Sequence, residues 1–108
     1  MTKYRFTNEA VKDLEEIWSF TKQKWSVEQA DRYYNLILDE IEFVASNPLL
    51  GRSIEYIKEG YRSTKVKSHV VFYKQHEDNM ILIVRILHQS MDCAKRVKQF
   101  QPKENNPT

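Results

Sequence analysis

The chain is short of the residues that build cross-links and phosphate loops. It has one cysteine, Cys93, among 108 residues. That excludes an internal disulfide and any multi-cysteine metal site, and it fits a reducing cytosol. Only two glycines occur, Gly51 and Gly60, so no glycine-rich phosphate loop can be assembled. The longest apolar run, Met80-Ile81-Leu82-Ile83-Val84, is far below the roughly 20 residues of a membrane span. Met1-Thr2-Lys3-Tyr4-Arg5 lacks the apolar stretch of a secretory signal. A cytoplasmic protein with no membrane association is expected. The three histidines and Cys93 are spaced irregularly, by 7, 12 and 5 residues, so no metal site is expected. No Ser/His/Asp hydrolase signature is present, and no cofactor is implied.

Enough remains for one core: 41% of residues are hydrophobic and 12% aromatic, which argues against disorder. The length suits a single domain. The net charge of +2 hides an uneven distribution. Residues 1–50 carry 6 basic and 9 acidic side chains, and residues 51–108 carry 11 and 6. The segment 61–76 holds Arg62, Lys65, Lys67 and Lys74, with His69 and His76, and no acid. A solvated strand face and a site for an anionic partner are both consistent with it.

Tyr4-Arg5-Phe6 reads as a short strand. Thr7 is a candidate helix cap, with Glu9 in the favoured first turn. Ala10, Leu14, Ile17, Trp18, Thr21 and Trp25 recur at helical spacing and predict a helix over 8–24. Trp18 and Trp25 are expected in the hairpin core. Ser26-Val27-Glu28-Gln29 fits a capping box, so a second helix should start at once. Its apolar stripe is Ala30, Tyr34, Ile37, Leu38, Ile41, Val44 and Ala45. Asn47-Pro48 should end it. Two helices with almost no connector form an antiparallel hairpin. Leu49 to Gly60 reads as a connector. Tyr61–Lys67, His69–Gln75 and Met80–Leu87 then read as strands, with a polar turn at 76–79. The last strand is apolar throughout, as a strand buried on both faces would be. Ser90 is a candidate cap for a short final helix. Residues 1–100 are expected to form the domain, and 101–108 a polar disordered tail. The order β-αα-βββ predicts an α+β fold: the helical hairpin packs on a mainly antiparallel sheet.

Several motifs stand in order along residues 4–93. They are Ala10 with Asp13-Leu14 and Ile17, Trp25 with Gln29-Ala30, Asn47-Pro48-Leu49-Leu50-Gly51-Arg52, Gly60-Tyr61-Arg62, Phe72-Tyr73, and Arg85-Ile86-Leu87-His88 followed by Asp92. This set resembles the ParE branch of the RelE/ParE toxin superfamily, with Arg85, His88 and Asp92 carrying the last motif. Met91 stands where many relatives have arginine. The resemblance implies a bacterial toxin neutralised by a cognate ParD-like antitoxin in a hetero-oligomer, with DNA gyrase as the target. It implies action through protein–protein contact. The RelE branch offers the alternative, an endoribonuclease that cuts messenger RNA on the ribosome.

A ribonuclease needs a base, an acid and cations around phosphorus. His69, Tyr73, Arg85 and His88 are the candidates. Simple alternation puts Ile81, Ile83, Arg85 and Leu87 on one face of the last strand and His88 on the other, unless a bulge intervenes. Each residue also has a structural reading. His88 can bond Asp92, Arg85 can pair with Asp13 or Glu16, and Tyr73 can be a core aromatic. The basic residues Arg62, Lys65, Lys67 and Lys74 are the expected antitoxin-binding or anion-binding set. The antitoxin segment, acidic and apolar, is expected in the groove between hairpin and sheet.

Overall fold

The computed structural model describes residues 3–77 and 79–100, so the tail 101–108 lies outside it. A short strand β1 (Tyr4–Phe6) leads into helices α1 (Asn8–Lys24) and α2 (Val27–Ser46). A 3-10 turn (Pro48–Leu50) follows, then strands β2 (Arg52–Ser53), β3 (Tyr61–Val66), β4 (His69–Glu77) and β5 (Met80–His88), and helix α3 (Cys93–Gln99). The sheet order is β1-β5-β4-β3-β2. β1 runs parallel to β5 and the other pairs are antiparallel. The α+β class and the antiparallel majority are as expected. β2 is an added edge strand inside the expected connector.

Thr7 explains how the first three elements meet. Its Oγ1 accepts the Ala10 N–H at 3.0 Å, which caps α1. The same hydroxyl donates to the Val84 carbonyl at 2.8 Å, and the Thr7 N–H donates to that of Ile83 at 3.0 Å. One buried residue thereby ties β1, α1 and β5 together. At the next junction Ser26 Oγ accepts the Gln29 N–H at 3.0 Å and restarts the chain as α2. Asn47 is extended, as the residue before a proline must be, and α2 ends there.

The hairpin packs on one face of the sheet. Leu14, Ile37, Ile41 and Val44 meet Val71, Tyr73, Ile81, Ile83 and Ile86 there. Each such side chain contributes on the order of 1.5–3 kcal/mol by leaving water. Tyr61, Phe72, Leu82, Val84 and Leu87 line the opposite face, under Ile54 and the α3 residue Val97. β5 supplies both cores, which is why its sequence is apolar at nearly every position.

Four local expectations are corrected. Trp25 is 67% exposed instead of buried in the hairpin. Trp18 is half-buried on the hairpin surface, and its Nε1–H donates to Asp31 across the two helices at 2.9 Å. The polar turn is shorter than 76–79, because β4 continues to Glu77. The cap of α3 is Asp92, which accepts the Lys95 N–H at 3.2 Å, and not Ser90.

Candidate functional site

The groove between α1 and the end of β5 exists because of one extra residue. Phe72 pairs with Arg85 but Tyr73 pairs with Ile83, so Val84 is a bulge in β5. The bulge shifts the alternation. Ile86 joins Ile81 and Ile83 on the hairpin side, while Val84 and Leu87 face the other core. The simple alternation therefore fails, and His88 turns toward the hairpin face.

β1 accompanies β5 only as far as Ile83. Beyond it the outer edge of β5 has no neighbouring strand among the described residues, and a side chain does the work of one. Asp13 on α1 accepts the Ile86 N–H at 2.9 Å. It also accepts Arg85 Nε–H at 2.8 Å and Nη2–H at 2.9 Å. The pairing expected between Arg85 and Asp13 or Glu16 is thus made with Asp13. This fork is the strong form of ion pair. The Asp13 hydrogen bonds raise the Arg85 pKa above its usual value, against the opposing effect of burial. Arg85 stays cationic, with its guanidinium 5.7 Å from the Phe100 ring.

His69 and His88 are register partners across β4 and β5. Their rings stand 5.2 Å apart and nearly perpendicular. The Tyr33 hydroxyl donates to the Val66 carbonyl at 3.0 Å and lies 2.7 Å from His69 Nδ1. A hydroxyl has one proton to give, so His69 Nδ1 is the donor in the second bond and Nε2 keeps its lone pair. His88 is the reverse. Its Nδ1 accepts the Ser90 N–H at 3.1 Å and lies 2.7 Å from Ser90 Oγ, which places the neutral-ring proton on Nε2. The expected His88–Asp92 bond is not made: Ser90 takes that role while Asp92 caps α3. Burial, then the neighbouring His88, lowers the His69 pKa below its ordinary value, with Asp13 acting weakly the other way.

These groups line an open groove of about 680 Å³. Ile17 and Phe20 on α1 form one wall with Trp25. Ile86 and Leu87 lie along the other side, with Met91 and Arg96 beyond them. Phe20 is 62% exposed, like its neighbour Trp25, and both are large apolar side chains left in water.

The structure brings His69, Arg85 and His88 together here and leaves Tyr73 out. Tyr73 is fully buried, and its hydroxyl donates to the Pro48 carbonyl at 2.7 Å. Tyr33 occupies the position beside the histidines, a residue the sequence reading passed over. The four basic residues do not form one patch. Lys65 shares the face of Tyr61, away from the hairpin, as does Lys74, whose Nζ stands 5.8 Å from the Tyr61 ring. Arg62 is on the hairpin side and donates to the Gly51 carbonyl at 2.6 Å. Lys67 sits in the β3–β4 turn at φ 54°, next to Ser68 at the end of the groove. Among the described residues no group of three or more His, Cys, Asp or Glu side chains could hold a metal ion. No helix among them is long and apolar enough to cross a membrane.

A two-helix hairpin on a five-stranded mixed sheet, with an apolar-walled groove beside the sheet edge, defines a small α+β protein. The fold matches a solved chain from a chromosomal ParDE toxin–antitoxin system of P. aeruginosa. The TM-score is 0.69 at 18% identity, over 82% of this chain and 96% of that one. The family described as ParE toxin of type II toxin–antitoxin system, parDE, matches residues 4–93. The chain belongs to that family. It is 38% identical to Toxin ParE1 of Mycobacterium tuberculosis over 96 residues, 89% of this chain and 98% of that protein. It is 40% identical to Toxin ParE1 of Caulobacter vibrioides over 93 residues, 86% and 95% of the two chains.

Proposed function

We propose that this toxin arrests growth by binding DNA gyrase and trapping it on cleaved DNA, and that a ParD-like antitoxin neutralises it in a hetero-oligomer. Family membership supports the toxin part of the reading. The groove supports the antitoxin part, and the carrying observation is the exposure of Phe20 and Trp25 over it. Such residues lose water contact when an apolar segment covers them, at about 25 cal/mol per Å². Arg96 on the groove lining, with Lys67 at its end, suits acidic residues in the same segment. The association should be fast at low salt and slower at high salt.

The test has two arms. Purified toxin should inhibit supercoiling by gyrase and accumulate cleaved complexes, and the antitoxin encoded beside it should reverse both. Gyrase left fully active by the toxin would refute the target. Unchanged antitoxin affinity in Phe20→Ser plus Trp25→Ser would refute the groove.

One observation favours a second reading, an endoribonuclease. His69 offers a lone pair at Nε2 while His88 offers a proton at Nε2, a base and an acid side by side near Arg85. Two of the Arg85 nitrogens are already committed to Asp13, which lowers its value for a phosphate. Specific messenger RNA cuts on translating ribosomes, lost in His88→Ala, would support this alternative over gyrase.

A further inference from the structure

A second apolar surface lies at the other end of α2. Leu36 and Phe43, two helical turns apart, are 38% and 55% exposed. The 3-10 turn that follows adds Leu49 at 73% and Leu50 at 49%. Phe43 lies about 15 Å along α2 from the groove residue Tyr33, at 1.5 Å per residue. The two surfaces are therefore separate.

The turn is held rigidly. Asn47 Oδ1 accepts the Leu49 N–H at 3.3 Å. Tyr73 binds the Pro48 carbonyl and Arg62 the Gly51 carbonyl, both reaching out from the sheet. Two side chains of the sheet thus fix a turn whose own leucines point into water. A fixed apolar knob loses little conformational freedom when a partner covers it.

Acidic charge dominates the helix beside it, while Arg52 follows the turn and Arg62 reaches it from β3. α2 carries Glu28, Asp31, Asp39, Glu40 and Glu42 against one base, Arg32. Three of the acids lie in its C-terminal half, and no base stands in its last turn. Glu40 is bonded to Thr64, but Asp39 and Glu42 make no ion pair among the described residues. Exposed carboxylates beside exposed apolar side chains suit a partner surface that is both basic and apolar.

We infer that Phe43, Leu49 and Leu50, flanked by Asp39 and Glu42, form the surface that engages the toxin's target, distinct from the groove that receives the antitoxin. The partner is a protein surface rich in lysine and arginine with an apolar socket. An enzyme that handles DNA presents such a surface to phosphates. The inference rests on the proposed gyrase reading and adds where the contact is made.

The test compares wild type, Leu49→Ser plus Leu50→Ser, Phe43→Ser, and Asp39→Asn plus Glu42→Gln. Each is assayed for gyrase inhibition, growth arrest, antitoxin affinity, sedimentation and urea midpoint. The apolar variants should lose at least about tenfold in gyrase inhibition, with antitoxin affinity and urea midpoint unchanged. The amide variant should inhibit gyrase more weakly with its urea midpoint unchanged, because Asp39 and Glu42 are exposed and make no ion pair among the described residues. Weaker inhibition at an unchanged urea midpoint is not produced by simple misfolding. Full inhibition in all three variants overturns the inference. So does a parallel loss of antitoxin binding, or conversion of a dimer to a monomer, which would assign the surface to the antitoxin or to a second copy. A wild-type toxin without effect on gyrase refutes the underlying reading instead, and this inference with it.

Discussion

The groove beside α1 and the corner at the end of α2 both hold apolar side chains in water, but they are built in opposite ways. The groove is concave and rests on polar chemistry: the Asp13–Arg85 fork, the two histidines and Tyr33. The corner projects outward and rests on backbone tethers: Tyr73 to Pro48 and Arg62 to Gly51. Arg85 and Arg96 line the first together with Asp13 and Glu16, and Asp39 and Glu42 lie beside the second. A site resting on charge and titratable groups responds to pH and salt. A site resting on steric fit and main-chain bonds responds to changes of side-chain volume.

Four substitutions break or sharpen that contrast. Asp13→Ala should have the largest effect, about 3–5 kcal/mol in urea unfolding, because it strands the Arg85 cation and orphans the Ile86 N–H. A loss under about 1 kcal/mol would show that the fork is not the support of the groove.

Gly51→Ala attacks the corner. Gly51 has an ordinary φ of −76°, so the backbone tolerates alanine there. The obstacle is space: an added Cβ would fall 1.8 Å from the Tyr73 hydroxyl oxygen. The expected loss is about 1–3 kcal/mol. Adding Tyr73→Phe should recover part of it. Antitoxin affinity should hold, since the groove is untouched, and a drop in affinity would show that the two surfaces are coupled.

Tyr33→Phe removes the hydroxyl shared by Val66 and His69. A loss of about 1 kcal/mol is expected, with the histidine ring freed to exchange tautomers, read by nitrogen chemical shifts. Unchanged shifts would contradict the tautomer assignment.

The smallest effect concerns pH. The folded-state pKa of His69 is lowered, chiefly by burial. The unfolded chain therefore binds the proton more readily. Stability attributable to His69 is full above the unfolded value near 6.5 and is lost as pH falls toward the folded value. His69→Gln should flatten that decline between neutral and mildly acid pH. An equal slope in the variant would remove His69 as the cause.

Much of the helical hairpin was legible because its signals are local. The stripes, the Thr7 cap, the Ser26-x-x-Gln29 box and the stop at Asn47-Pro48 each depend on neighbours within four residues. Both exposed surfaces also had a sequence signal. Phe20, Leu36 and Phe43 are apolar but fall outside the stripes that pack on the sheet. Trp25 misled because it falls on the stripe by spacing but lies past the last turn of α1, where the chain leaves the helix. The sheet was legible as strands but not as a site. Nothing local marks Val84 as a bulge, and that residue turns His88 toward His69.

By itself, the order of residues determined the elements, their apolar faces and the family motif, since these follow from backbone propensity and periodic burial. Tertiary structure alone decided which charged and polar groups meet. Asp13 and Arg85 are 72 residues apart, and Tyr33 and His69 are 36 apart. The first contact depends on a one-residue register shift and on where β1 stops covering β5, and the second on where α2 crosses the β3–β4 hairpin. Those are properties of the assembled sheet, set when all its strands compete for the same hydrogen bonds, and no segment carries them alone.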